Sequence, residues 1–473
     1  MIAKSDLSRS DVPFEKEMGW VAESAPARLQ TFTNESGETI SPLFKAWSKL
    51  GETPDYPPYP RIAEKVDPLF FPDTPLSAPM EALTMEEAIF GCDTAYGYVK
   101  PIDPTTSSGP FLKSQNKARS DAFDLKNRVV APWFKQAVQF VWDKLAHGPL
   151  PMWFHDDLKD ELRDLLRVLL GKTRVYYITD LVWLVIQRMI FGKWVMALES
   201  NPAKSACSVG INPESIQWNQ LFNRLGAFSD DVEIWTCDRS RHDTNIRYPV
   251  LMEFARLVNL RVSEKTRALH CIQSLGLQYH VGQKICYFLD GIDPSGIYLT
   301  SIIGSFATVG SYVIYCDEKS LPYPAMATYS DDDIVVWKKK VGAKIGDYVQ
   351  SASKLPMSVT GNDKSPDPVP VLLREVRYLS REIVIRKGRA MAPLPENTIR
   401  NMLMWVRGRG NVDWEEQIKS RCYNALGAAL QHPSKFYNEI CRAVSLTCTT
   451  YKINVPIVPY DEAQRDLFKR HYE

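Results

Sequence analysis

A chain of 473 residues, 45% hydrophobic and 24% charged, has the composition of a globular protein and excludes collagen, coiled-coil and disordered classes. Its 57 basic and 56 acidic side chains leave a formal charge of +1, which excludes a polybasic, histone-like protein but not a locally basic channel. The length suits roughly three domains or one large multi-lobed unit. Residues 1–80 are rich in proline (PDYPPYPR, PLFFPDTPLSAP) and predict an extended segment laid over another lobe, with little helix of its own. Residues 84–147 read as mostly helical, broken by a loop at IDPTTSSGPF. Residues 157–195 form a basic and apolar block. There Lys159, Arg163 and Arg167 recur at i, i+4 and i+8, the spacing of one helix face. Lys172 and Arg174 then follow a glycine turn into a β-prone run.

Residues 230–385 mix short strands with helices. Pro294 to Cys316 carries no charge, yet its serines, threonines and glycines suit a buried helix better than a membrane span. From about residue 396 the pattern is helical. Ile399, Met402, Leu403 and Val406 mark one apolar face, and Ile418, Cys422, Ala425 and Ala429 another. The whole reads as an α+β body with a helical C-terminal lobe. The nine cysteines never form CxxC, which fits free thiols in a reducing compartment and gives no zinc signature. The histidines show no ligand spacing, and the polar N-terminus is not a secretory signal.

Two acidic clusters could carry chemistry. VEIWTCDRSRHD is a β-prone run ending at Asp238, with Asp243 following. MATYSDDDIVVW predicts a hairpin whose turn holds Ser330, Asp331, Asp332 and Asp333. If Asp238 ends a neighbouring strand, it stands beside Asp331, and two such carboxylates repel unless a divalent cation neutralises them. Mg²⁺ favours one or two carboxylates plus phosphate oxygens. Two ions about 4 Å apart serve in-line phosphoryl transfer. Taken alone, an Asp-rich turn is more often a solvated loop. The basic block is equally readable as a solvated helix face, since Asp160, Glu161 and Asp164 can pair with it. GKT at 171–173 is not a P-loop, because Leu166 stands where that motif needs glycine.

In chain order, KDELR with GKTR, Asp238 with Asp243, DPSGIYLTSIIGS, YSDD, GNDKS and VRYLSRE resemble the motifs of RNA-dependent RNA polymerases from picornavirus-like positive-strand RNA viruses. TTSSGP resembles their template-entry loop, and the resemblance spans about residues 84–445. It implies a right-hand fold of fingers, a palm with an antiparallel sheet and a helical thumb, closed by N-terminal fingertips. The implied division is 1–190 fingers, 191–247 palm, 248–290 fingers, 291–387 palm and 388–473 thumb. The implied activity is template-directed transfer of nucleotidyl groups from rNTPs to an RNA or protein-linked 3′-hydroxyl, for viral genome replication.

By the same resemblance, Asp238 and Asp331 would hold Mg²⁺, with Mn²⁺ as a substitute and Asp332 as an auxiliary ligand. Lys364 would protonate the leaving pyrophosphate or act on it electrostatically. Lys159, Arg163, Lys172 and Arg174 would neutralise the triphosphate. Asp243 and Thr300 would read the ribose 2′-hydroxyl. Ser295 and Gly296 would form a loop near the templating nucleotide. Thr106, Ser107 and Gly109, with Lys113, Lys117, Arg119, Lys126 and Arg128, would guide the template. Arg381 of VRYLSRE would grip the primer. Implied partners are RNA template and primer, rNTPs, a viral protein primer and other replication proteins. The implied place is the host cytoplasm at membrane-associated replication complexes, with no transmembrane segment.

Four positions depart from the family pattern. Ser330 replaces the glycine before the Asp pair, and Gly304 stands where an asparagine usually helps read the 2′-hydroxyl. YLSR has one cation fewer than the usual FLKR, and Met1 is not the usual first residue. Gly304 keeps open a second reading, a polymerase-like RNA-binding scaffold without catalysis; the intact Asp238, Asp331 and Lys364 argue against it. A reverse transcriptase or DNA polymerase is a third reading, opposed by KDELR and by the Asp243 and Thr300 pair.

Overall fold

The computed structural model describes residues 5–34, 36–48, 50, 58–76, 79–283, 285–355, 357–361, 363–408 and 413–471. Met1, part of PDYPPYPR and Asn362 of GNDKS lie outside the described residues.

A three-stranded antiparallel sheet lies at the centre, with Asp332–Lys338 between Val232–Trp235 and Ala325–Tyr329. Tyr329 pairs with Asp332, so only Ser330 and Asp331 make the turn of the predicted hairpin. Strand alternation sends Val335 and Trp337 into one core and Ile334 and Val336 into another. The sheet is therefore buried on both faces. The Thr300–Lys319 helix packs against it, and every side chain from Ile302 to Cys316 is buried. The uncharged stretch is thus a core helix, as its composition predicts. Another helix, Leu181–Glu199, is long and apolar enough to cross a membrane, yet 83% of its apolar window is buried inside the fold.

After Thr236 the chain re-enters extended structure as Cys237–Ser240 and pairs with Ser358–Gly361, Asp238 facing Thr360. This pairing delivers Lys364, just past the second strand, to the Asp238 strand. A second, four-stranded sheet orders Val175–Thr179, Met152–Leu158, Gln278–Gly282 and Ile285–Leu289. Its one parallel pair joins Met152–Leu158 to Gln278–Gly282.

The expected basic helix over 159–167 does not form. Leu162–Asp164 is a strand paired with Ser24–Pro26, and the helix covers only Leu165–Leu169, capped by Asp164. A distant backbone partner overrides the local helical spacing. Residues 84–147 are also less helical than expected. Helices Met85–Phe90, Gly109–Ser114 and Pro132–Lys144 alternate with hairpins at Cys92–Val99 and Phe123–Val130.

The N-terminal segment does lie over other lobes, but it carries short helices at Phe14–Met18, Pro42–Trp47 and Ala63–Phe70. Leu7–Arg9 pairs with Trp405–Arg407 of the C-terminal lobe. Val12, Phe14 and Trp20 enter that lobe's core with Ile399, Leu403, Ile418, Cys422, Ala425 and Ala429. Val406, expected on a helix face, sits instead in this strand, and Met402 is half-buried. The lobe itself is the helices Glu396–Met404, Trp414–Ala429 and Ser434–Tyr451.

Candidate active site

Asp238 and Asp331 are carried by neighbouring elements of the central body. Alternation along Cys237–Ser240 turns Cys237 and Arg239 into the core and leaves Asp238 on the opposite, partly exposed side. Asp331 is exposed in its two-residue turn. Asp332 opens the next strand; burial, then Asp331 and Asp333, push its carboxyl up to about 6. The Lys364 ammonium contacts the Asp238 carboxylate as an ion pair. Asp243 is pushed up to about 6 by burial and by Asp331, with Arg174 pulling the other way. Burial is the larger cause at both carboxyls, and the neighbouring aspartates add to it.

Three aspartates are a hard-oxygen donor set of the kind Mg²⁺ takes. Among the described residues no three acidic, cysteine or histidine side chains already converge into a closed metal cage. Asp238 is paired instead with Lys364.

Beneath these carboxylates lies a buried polar network. Arg239 Nη2 donates to Asp333 Oδ2 at 2.8 Å and to the Tyr348 hydroxyl at 2.6 Å. Arg239 Nη1 donates to the Asp331 carbonyl at 3.0 Å. Asp333 also accepts from the Cys237 backbone N–H at 2.8 Å and from the Tyr312 hydroxyl at 2.7 Å. The third aspartate of the DDD run is thus fully engaged inside the fold.

The turn is held from the Thr300–Lys319 helix as well. Ser305 Oγ accepts from the Ser330 N–H at 2.8 Å, and Thr308 Oγ1 donates to the Ser330 carbonyl at 2.8 Å. Ser330 has φ +58°, in the left-handed region that glycine adopts freely. His242 is fully buried against the Gly304 carbonyl at 2.9 Å. Burial and Arg239 push its imidazole down to about 4, so it is neutral.

A cleft of about 580 Å³ faces this region. Arg163, Arg167, Lys172, Arg174, Arg239 and Arg241 line it together with His242, Asp243, Ser295 and Asp331. Glu161 organises the basic cluster. Arg174 grips it with both nitrogens, Nε at 2.7 Å, while Arg163 approaches at 3.4 Å and Lys159 at 3.5 Å. Burial pushes the Glu161 carboxyl up, but these cations outweigh it and hold the group below its ordinary range. Asp238, Asp332, Lys364, Lys159, Gly296 and Thr300 are not among the residues that line the cleft.

Other predicted residues turn toward protein. Thr300 Oγ1 donates to the Pro294 carbonyl at 2.7 Å and closes the 294–300 loop on itself. Ser295 Oγ accepts from the Tyr177 N–H at 3.2 Å. Gly296 is pressed onto the Tyr177 carbonyl, leaving no space for a Cβ, so its close backbone approach is to the protein. Gly109, at φ +81°, lies where a Cβ would come within 2.6 Å of Asp180 Cα. Thr106 is exposed and donates to the Asp103 carbonyl at 3.2 Å. The Ser107 carbonyl accepts from Arg119 Nε at 2.8 Å. Lys117 stacks on Trp133 at 4.0 Å, while Lys113, Lys126 and Arg128 are exposed. Arg381 is mostly buried, donating to the Ala392 carbonyl at 2.8 Å and to Glu214 at 2.9 Å. Its guanidinium braces the hairpin instead of projecting outward.

The sequence placed Asp333 in the turn, whereas it lies in the strand opposite Thr328, and it gave no role to Arg239, Arg241 or His242. The signal available was strand alternation: in CDRSR, the residue after a partly exposed Asp238 must point inward, and an inward arginine demands a buried acid.

A family model described as viral RNA-dependent RNA polymerase matches residues 15–447. The genome polyprotein of Salivirus A is 27% identical over 419 residues, covering 86% of this chain and 16% of the polyprotein. That of human hepatitis A virus genotype IA is 27% identical over 322 residues, covering 64% of this chain and 14% of the polyprotein. The chain thus spans about a sixth of the length of these curated relatives. The solved structure titled Sicinivirus 3Dpol RNA dependent RNA polymerase shares its fold, with TM-score 0.80 at 22% identity over 98% of this chain and 96% of that one. With one family model spanning nearly the whole chain, this α+β protein belongs to the viral RNA-dependent RNA polymerases of picornavirus-like type.

Proposed function

We propose that the protein extends an RNA or protein-linked 3′-hydroxyl with rNTPs, copying an RNA template for viral genome replication by a two-metal mechanism. The observation that carries this reading is the cleft itself, which brings Asp331 and Asp243 together with Arg163, Arg167, Lys172 and Arg174. Asp238 and Asp331, assisted by Asp332, would hold Mg²⁺ or Mn²⁺. When bound, the metals lower the pKa of the attacking hydroxyl and neutralise the triphosphate.

The chain's own residues supply the rest. The basic cluster orients the triphosphate so that the hydroxyl oxygen bonds to the α-phosphorus as the bond to pyrophosphate breaks. Lys364, released from Asp238, gives a proton to the departing pyrophosphate. Asp243 reads the 2′-hydroxyl, joined by Thr300 once the 294–300 loop opens around a nucleotide. The exposed Lys113, Lys126 and Arg128, near Thr106 and Ser107, guide the template. Arg377 and Arg381 of VRYLSRE support the primer side.

On this reading, fingers comprise 1–190 and 248–290, the palm 191–247 and 291–387, and the thumb 388–473. The N-terminal segment joins fingers to thumb, which the pairing of Leu7–Arg9 with Trp405–Arg407 supports. The partners on this reading are RNA template and primer, rNTPs, a viral protein primer and other replication proteins, at membrane-associated complexes in the host cytoplasm. The test is rNTP incorporation on a defined primer–template, with dNTPs and Asp331→Asn in parallel. Incorporation of rNTPs by the wild type alone supports the reading; RNA binding without incorporation across metals and primers favours a scaffold.

A further inference from the structure

We propose that Arg239, paired with Asp333, is a positioning residue that fixes the spacing between the two metal-binding carboxylates. The inference rests on the reading of Asp238 and Asp331 as metal ligands. Arg239 follows Asp238 on its strand and points inward, where its Nη1 bonds the carbonyl of Asp331 itself. One side chain therefore ties the strand that carries one ligand to the turn that carries the other. Asp333 locks the tie from the far side, accepting from Arg239, the Cys237 N–H and Tyr312. Tyr348 stacks on Tyr312 at 4.1 Å and accepts from Arg239, so the guanidinium has little freedom to shift.

Stability alone does not account for this pair. Its side chains are 1% and 0% exposed, and buried ion pairs are commonly replaceable by apolar residues without loss of stability. Geometry offers a reason. Asp238 and Asp331 repel one another, and the turn between Tyr329 and Asp332 is only two residues long. Without a tie from below, the Asp331 carboxylate would swing away from Asp238. A fork that bonds a carboxylate and a carbonyl at once is a property of arginine that lysine lacks.

The test compares wild type, Arg239→Met/Asp333→Leu, Arg239→Lys and Asp331→Asn. Mn²⁺ binding to the RNA-free protein is followed by electron paramagnetic resonance, alongside melting temperature and the Mg²⁺ dependence of rNTP incorporation. The double variant is expected to melt lower than wild type, because the buried Cys237 N–H and Tyr312 hydroxyl lose their acceptor, so its metal binding is read at a temperature where it is folded. Its Mn²⁺ affinity is expected to fall about 10- to 100-fold, the worth of one charge-assisted hydrogen bond, with a matching rise in the Mg²⁺ needed for incorporation. Arg239→Lys, which keeps the charge but not the fork, is expected to shift metal binding in the same direction, and it decides the matter if the double variant fails to fold. Wild-type Mn²⁺ affinity in a folded double variant or in Arg239→Lys overturns the proposal while leaving the ligands in place. Wild-type Mn²⁺ affinity in Asp331→Asn overturns the ligand reading and the proposal together.

Discussion

Gly304 and Ser330 are a sterically matched pair. A Cβ added at Gly304 would lie 3.0 Å from both Cα and Cβ of Ser330 and closer still to its hydroxyl. The serine in the catalytic turn thus occupies the space that a side chain on the Thr300–Lys319 helix would need. The two departures from the family pattern are one feature, a side chain moved from the helix to the turn. Gly304 is accordingly accounted for by packing against Ser330.

Gly304→Ala is expected to destabilise by about 1–3 kcal/mol through overpacking, despite alanine's better helix propensity. Ser330→Gly removes two of the three close contacts and relieves the strain at φ +58°. The double variant should therefore recover most of the loss, with a coupling of at least about 1 kcal/mol in a denaturation cycle. Additive effects would show that the two residues do not compete for space.

Asp331→Asn should reduce rNTP incorporation to about one hundredth of wild type or less, the scale of a lost electrostatic contribution to a charged transition state. The melting temperature should hardly change, since Asp331 is exposed. Incorporation near the wild-type rate would remove Asp331 from the metal-binding set.

Asp243 carries a pH signature. Its carboxyl, pushed up to about 6, binds a proton more tightly folded than unfolded, where the pKa is about 3.9. Folding is thus favoured by this group below about pH 4 relative to neutral pH, and that contribution is lost as pH rises through about 6. Asp243→Asn has no charge to bury. The variant should gain stability relative to wild type as pH rises from about 4 to 7. Paired thermal melts in metal-free buffer across that range check the sign. The same variant should narrow the preference for rNTPs over dNTPs.

Trp20 couples the N-terminal segment to the C-terminal lobe. It is buried against Phe14 at 5.1 Å, and its Nε1 donates to Glu439, which also receives Arg400 at 2.9 Å. Trp20→Ala should cost about 3–5 kcal/mol and leave Glu439 with one donor fewer. If the segment holds the lobes together around RNA, the variant should also release primer–template faster in a heparin-trap assay. An unchanged dissociation rate would confine the segment to a stabilising role.

The sequence by itself determined the family resemblance and named candidate acids and cations in motif order. Asp238, Asp331 and Lys364 could be named because motif spacing is local. The burial of Ile302 to Cys316 was legible because an uncharged run rich in serine, threonine and glycine suits a packed helix. Tertiary structure decided what each side chain faces. Helical spacing over Lys159, Arg163 and Arg167 yielded to a strand pairing with Ser24–Pro26 more than a hundred positions away. Arg381 turned inward because Glu214 and the Ala392 carbonyl await it there. The reason Gly304 must be glycine lies in Ser330, and the partner of Arg239 lies 94 residues along the chain. Periodicity reports only on neighbours within a turn or a strand; contacts between distant segments arise when strand register and helix packing close the core, and no local pattern records them.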